Sequence, residues 1–392
     1  MMVMPLGPDF ARGLGIPTSQ LGFVSSAYAL AGALTGFFGA SVLDKFERKR
    51  ALTIAVLGLI VGTAAGAMAR GLGTMIAARF IAGAFGGPAT SLALSIVADV
   101  VPPARRGRAM SKVMGAFSVA SSIGVPAGLR LARYGGWRSP FLVVAALGLV
   151  ILGIATSRMP VLRLHLVNPP KTTARQRMLA LFADPTVRLA LLTNALVFGA
   201  AFLVIPNIAA HLQQNLGYPR PRLEYAYIVG GVTSIFVLLV AGRAVDKRGP
   251  AFVSAWGTLV LAAALVLGFI APNKFFHLPT FGLFAIFMAG MSMRNVSLGS
   301  LSTRVPRPHE RAGYMSLQSV SQQLAMGMGA AISTAMLRNT SDGKLQGIAL
   351  ISTIALGLSF ALPFLLAAIT RRVSTREALA AVAAPPSVAA SA

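Results

Sequence analysis

The chain has 392 residues, 55% of them hydrophobic and only 11% charged, with 40 glycines spread through the apolar runs. A soluble domain of this size carries far more charge, and the absence of cysteine excludes disulfides and any thiolate metal site. The net charge of +25 would suggest a nucleic-acid partner in a soluble chain, so where the charges fall decides what they mean.

A helix needs about 20 mostly apolar residues to cross a bilayer. Stretches of that kind recur near 19–42, 50–69, 73–100, 109–132, 137–157, 187–213, 221–244, 250–271, 279–304, 311–337 and 345–370. The expected fold class is an all-α polytopic membrane protein. The opening MMVMPLGPDF has no basic region of the kind that begins a signal peptide. Of the 35 Lys and Arg, 23 lie in alternate loops and the C-terminal tail (43–50, 101–112, 158–188, 243–248, 304–311 and 371–376), 10 in the opposite loops and two inside spans. Cytoplasmic loops collect Lys and Arg, which places these loops and the C-terminus on the cytoplasmic side of a bacterial inner (plasma) membrane. The charge is a topology signal, and no nucleic acid is expected.

The chain also repeats itself. LGIP at 14–17 returns as LGYP at 216–219, and LDK at 43–45 as VDK at 245–247, both at an offset of 202 residues; FIAG at 80–83 parallels FMAG at 287–290. Two homologous halves follow: an N-terminal helix bundle over 1–157, a basic cytoplasmic linker over 158–186, a C-terminal bundle over 187–370, and an Ala/Pro/Ser-rich tail over 371–392 expected to be disordered. An apolar helix precedes LGYP, whereas only thirteen residues precede LGIP. The first helix is therefore expected to be truncated, through a misassigned start or a fragment, and with this stub two halves of six helices are complete.

ASVLDKFERKR at 40–50, between the second and third helices, resembles the glycine–aspartate–arginine loop signature of the major facilitator superfamily, with Ala40 and Glu47 in place of its two glycines. GRAVDKRG at 242–249 is similar to the same signature and keeps both, as Gly242 and Gly249. RFIAGAFGG at 79–87 resembles the arginine–glycine–glycine motif of the family's fourth helix, and GVPAGLRLARYGGWRSPF at 124–141 the fifth-helix proline motif of its drug and sugar efflux branch. The resemblance spans nearly the whole chain and implies two pseudo-symmetric six-helix bundles and alternating-access transport. It also implies a latch: Asp44 would meet the positive start of the helix beginning near Arg311, Asp246 that of the helix beginning near Arg108, and Arg48 would pair with Asp99. Positive-inside sorting alone accounts for Lys49 and Arg50 but not for the aspartates.

Polar residues within spans are costly and mark candidate sites, and repeat-built transporters bind substrate at midplane between the halves. Arg79 and Arg294 are the two intramembrane cations. Arg79 is read either as a cavity residue or as a structural group tied to backbone carbonyls; Arg294 is expected to face the cavity. Further cavity candidates are Tyr28, the pair Asn194 and Phe198, and the pair Gln318 and Gln322, with interhelical hydrogen bonding as the alternative for the glutamines. Gly83 and Gly87 are expected at close helix packing, as is Gly124. None of the ten acids stands at a span centre, and His165, His211, His277 and His309 are not clustered. No metal, cofactor or catalytic dyad is expected, and so no enzyme. The expected function is proton-coupled efflux of a small organic solute by a monomeric antiporter. Organic-anion uptake or exchange is the alternative, and a non-transporting sensor or scaffold the reading from another class.

Overall fold

The computed structural model describes residues 3–43, 46–102, 105, 123–160, 174–272, 279–307 and 310–383. The first half contains α1 (Gly7–Leu14), α2 (Leu21–Leu43), α3 (Arg48–Ala67), α4 (Leu72–Val100), α5 (Val125–Gly135) and α6 (Ser139–Arg158), and α7 (Ala174–Ala183) lies in the basic linker. The second half contains α8 (Pro185–Val204), α9 (Leu223–Arg248), α10 (Pro250–Leu265), α11 (Thr280–Ser302), α12 (Arg311–Met336) and α13 (Ile348–Ala383). Short helical turns prolong α8 as far as Asn215. Between α12 and α13 a small hairpin, β1 (Arg338–Asn339) and β2 (Leu345–Gln346), pairs antiparallel.

Nine helices among the described residues are long and apolar enough to cross a membrane. Two of the eleven expected stretches are missing from that set. Most of 109–132 lies outside the described residues, which resume at Ile123. The stretch 311–337 forms α12 as expected, but Ser316, Gln318, Ser319, Ser321, Gln322 and Gln323 make it too polar to qualify. The physical reason is its position: α12 packs against α2 on one side and α8 on the other, so two of its faces meet protein rather than lipid.

The repeat is visible in the backbone. Gly15 (φ 66°) and Gly217 (φ 64°) both adopt the left-handed conformation that closes a helix. Each is followed two residues later by proline, then by one 3₁₀ turn, Thr18–Gln20 or Arg220–Arg222, and the next helix begins at Leu21 or Leu223. The second copy of the loop signature uses Gly249 at φ 84°, where the first copy has Glu47 at φ −56°. The glycine lost from the first copy therefore coincides with a different backbone path.

Small residues let helices approach. A Cβ on Gly83 would fall on the carbonyl oxygen of Tyr28, and one on Gly87 would stand 2.8 Å from that of Gly32, so α4 lies backbone to backbone on α2. A Cβ on Gly124 would meet no atom of the described residues within 4 Å. The halves meet where α2 runs along α12 and where α5 meets α9. Gly22 admits the Ala330 carbonyl, and a Cβ on Gly327 would stand 2.6 Å from Leu30.

The expected disorder from 371 onward is corrected as far as Ala383, because α13 continues through it. The segment is held at its basic end: Val373 is 1% exposed, Arg304 donates to Glu377 (Nη2–Oε2 2.6 Å), and Arg376 donates to the carbonyls of Arg304 and Val305. The Glu377 hydrogen bond also holds the Arg304 guanidinium above its ordinary range.

Candidate functional site

Among the described residues, the polar contacts between the halves gather at the end opposite the Lys/Arg-rich loops. Asp9 of α1 accepts two hydrogen bonds from Arg220 Nε at 2.8 Å and one from Nη2 at 2.5 Å. Both side chains are largely covered, at 14% and 18% exposure, and the forked geometry is the strong form of this pairing. Arg12 is also within 3.2 Å of Asp9. Arg133 at the end of α5 pairs with the buried Glu224 of α9 at 3.7 Å. Thr18 donates to Gln214 Oε1 at 2.9 Å and accepts from Asn339 Nδ2 at 2.9 Å, while Asn339 Oδ1 accepts from the Ser19 amide. Asn215 holds both backbone groups of Leu345, pinning the hairpin. Beside this network burial pushes the Tyr218 phenol above its ordinary range, partly offset by Arg222. The GWR element supports the seal: Trp137 packs between Phe10 and Phe141, and Arg138 donates to the Ala67 carbonyl at the end of α3 at 3.0 Å.

At the basic end Asp44 and Arg108 lie outside the described residues, as does the Asp99 side chain in the last turn of α4. Arg48 is 9% exposed. Arg311 and Asp246 are exposed, and among the described residues Asp246 makes no ion pair.

The cavity candidates separate into two groups. In the first half Arg79 of α4 stacks on the Tyr28 ring of α2, Cζ 4.4 Å from its centroid, with Nε buried and without an acceptor among the described residues. Gly86 makes room for the Tyr28 hydroxyl. In the second half the structure joins Asn194 to Gln318: Asn194 Nδ2 donates to the Gln318 carbonyl at 3.1 Å, and Gln318 Nε2 donates to Asn194 Oδ1 at 3.3 Å and to Ser302 Oγ at 2.7 Å. This is the interhelical arrangement, tying α8, α11 and α12 together. Phe198 packs against the apolar cluster of the same half and Gln322 is half-buried. Arg294, expected to face the cavity, sits instead inside the second half, bordered by residues of α8, α10, α11 and α13. Periodicity gave no warning, because the polar residues of α11, among them Ser292, Arg294, Asn295, Ser297 and Ser300, are spread round the helix and mark no single face. Asn194→Leu should lower thermal stability by about 0.6–2 kcal/mol, since it removes both hydrogen bonds between α8 and Gln318 and leaves Gln318 only Ser302. A melting curve within 0.5 kcal/mol-equivalent of the parent would count against that bond network, on the ordinary scatter of neutral substitutions.

The sequence showed no acid at a span centre but did not show the pairs Asp9–Arg220 and Glu224–Arg133. The available signal was the repeat: LGIP and LGYP are equivalent corners, and both sealing sets cluster around them.

The Major Facilitator Superfamily model matches residues 1–330 and again 190–390. A chloramphenicol resistance protein of Streptomyces lividans is 27% identical over 366 residues, covering 92% of this chain and 91% of the relative. A multidrug resistance protein B homolog of Mycobacterium tuberculosis is 26% identical over 389 residues, covering 84% and 71%. Among solved structures, a D-xylose–proton symporter superposes with a TM-score of 0.69 at 17% identity, covering 92% of this chain and 91% of the other. A bacterial homolog of the human lysosomal transporter Spinster, described as inward-facing and unoccupied, gives 0.67 at 19% identity, covering 95% and 91%.

Proposed function

The chain belongs to the major facilitator superfamily and is a membrane transporter rather than an enzyme, and from that premise we propose that it exports a small organic solute across the bacterial inner membrane by proton-coupled alternating access. The observation that carries the reading is the seal of Asp9–Arg220 and Arg133–Glu224, which joins the halves at one end, opposite the loop signatures that the family uses at the other. With the basic end taken as cytoplasmic, the seal is the outer gate, and the state described is closed to the outside. Two gates that exclude each other are the requirement of alternating access. The loop residues Asp44, Arg48, Asp99, Arg108, Asp246 and Arg311 are assigned to the inner gate. Export is favoured by the resemblance of the fifth-helix segment to the efflux branch and by the resistance proteins among the relatives. Tyr28 and Arg79 are the polar pair in the first half from which a solute contact is expected.

Organic-anion uptake rested on two intramembrane arginines; with Arg294 inside one bundle and Arg79 covered by Tyr28, that reading has the weaker support. The test is accumulation of labelled chloramphenicol in inside-out membrane vesicles containing the protein. Uptake should require a pH gradient, acid inside, and collapse when nigericin dissipates it. Gradient-independent exchange would remove the proton coupling, and accumulation only in right-side-out vesicles would replace export by import.

A further inference from the structure

The interior of the second half holds a cation that no described side chain neutralises. Arg294 lies near the middle of α11 at 1% exposure. Its stem packs at Gly257 of α10, where a Cβ would stand 3.2 Å from Arg294 Cγ. Its head meets Met291 Sδ at 4.0 Å through Nη1, while Nε and Nη2 are buried and find no acceptor among the described residues. The described acids of this half, Asp184, Glu224, Asp246, Glu310, Asp342 and Glu377, lie at helix ends or in loops. A buried charge without a partner is costly unless something brings it hydrogen bonds and opposite charge.

Arg294 borders a cavity of about 10 Å³ whose only other polar side chain among the described residues is Ser359. Ser359 already donates its hydroxyl to the Ala355 carbonyl at 2.7 Å. Space of this order takes one water-sized particle at its lower limit. A water molecule would meet donors on Arg294 but only one side-chain oxygen to receive its own hydrogens, since the other described side chains of the wall offer carbon and the weakly accepting thioether of Met291. A monatomic anion accepts without needing to donate and supplies the missing charge. The slightly larger radius of a halide needs only a small shift, which the flexible thioether of Met291 can provide. We propose that Arg294 binds a halide ion, chloride in the cell, inside the C-terminal bundle. The ion is a resident of that bundle and not the transported solute, because the described residues of the cavity wall come from α8, α10, α11 and α13, all in the second half. It ties those helices into one rigid body.

Thermal unfolding of the purified full-length protein, at constant ionic strength in gluconate, chloride, bromide or sulfate, tests the proposal. Chloride and bromide should raise Tm saturably by several degrees, and sulfate, too large for the cavity, should match gluconate. Arg294→Met keeps the stem and removes the donors, so it should melt alike in all four salts. Identical melting of the parent in chloride and gluconate would overturn the site, as would a chloride effect undiminished in Arg294→Met. Should that variant fail to accumulate, crystals of the parent grown in bromide decide: an anomalous peak within hydrogen-bonding reach of Arg294 Nη2 supports the assignment, and no peak there rejects it.

Discussion

Replacing Asp9 by Asn should open the outer side of the transporter. The carboxylate receives three hydrogen bonds from Arg220 and both groups are largely shielded. Breaking a fully buried pair by removing one partner costs about 3–5 kcal/mol, and an exposed pair contributes about 0–1; a pair at the rim of a gate falls between, at about 1–2 kcal/mol. If, as proposed, the contact exists only when the outer side is closed, that loss moves the population toward the outward-open form by roughly tenfold. The cysteine-free sequence makes the measurement direct. A cysteine at Thr334, now 6% exposed beneath the seal against Gly22, should react with an external maleimide about tenfold faster in the Asp9→Asn background, by the same population arithmetic. Arg220→Met should act alike, and the double substitution should add little because the two share one interaction. Asp44→Asn, at the proposed inner gate, should slow the same reaction. Equal labelling rates in the parent and in Asp9→Asn would remove the outer gate from the mechanism.

The second large effect is steric. Gly83→Val puts side-chain carbon where the Tyr28 carbonyl already stands, and the obstacle is backbone that cannot rotate away. Overpacking typically costs about 1–3 kcal/mol, and this site belongs at or above the upper limit. Loss of monodisperse protein on size-exclusion chromatography and a lowered melting temperature are expected. The same helix supplies the control: a Cβ on Gly73 meets no atom of the described residues within 4 Å, so Gly73→Ala should be stabilising by about 0.4–1 kcal/mol through the unfolded chain. If both substitutions behaved alike, α4 would not be packed on α2 through Gly83.

The architecture was legible because its signals are local or repeated. Apolar length announced the spans, and the LGIP and LGYP corners announced the duplication that Gly15 and Gly217 realise in matching backbone geometry. The gate at the outer end was not legible, because Asp9 and Arg220 are far apart in sequence and nothing near either names the other. The polar candidates were found by type but not by direction. A helix without a single polar face gives no preferred direction, so Arg294 and Asn194 could be placed at a depth but not toward the cavity or away from it. The segment 371–383 was misread for a related reason: alanine-rich composition looks unstructured until Val373 and Glu377 are seen to have partners.

The polarity of α12 bears on how the protein is made. A nascent segment partitions from the translocon into lipid by its own apolarity, and Arg311–Met336 falls short of the other spans in that respect. Its glutamines and serines become tolerable only once α8 and α2 lie against it, as Gln318 does with Asn194 and Gln323 with Gly32. Integration of this segment therefore depends on helices synthesised long before it, and the seam that later separates and rejoins in each transport cycle is also the last part of the bundle to become comfortable in the bilayer during biosynthesis.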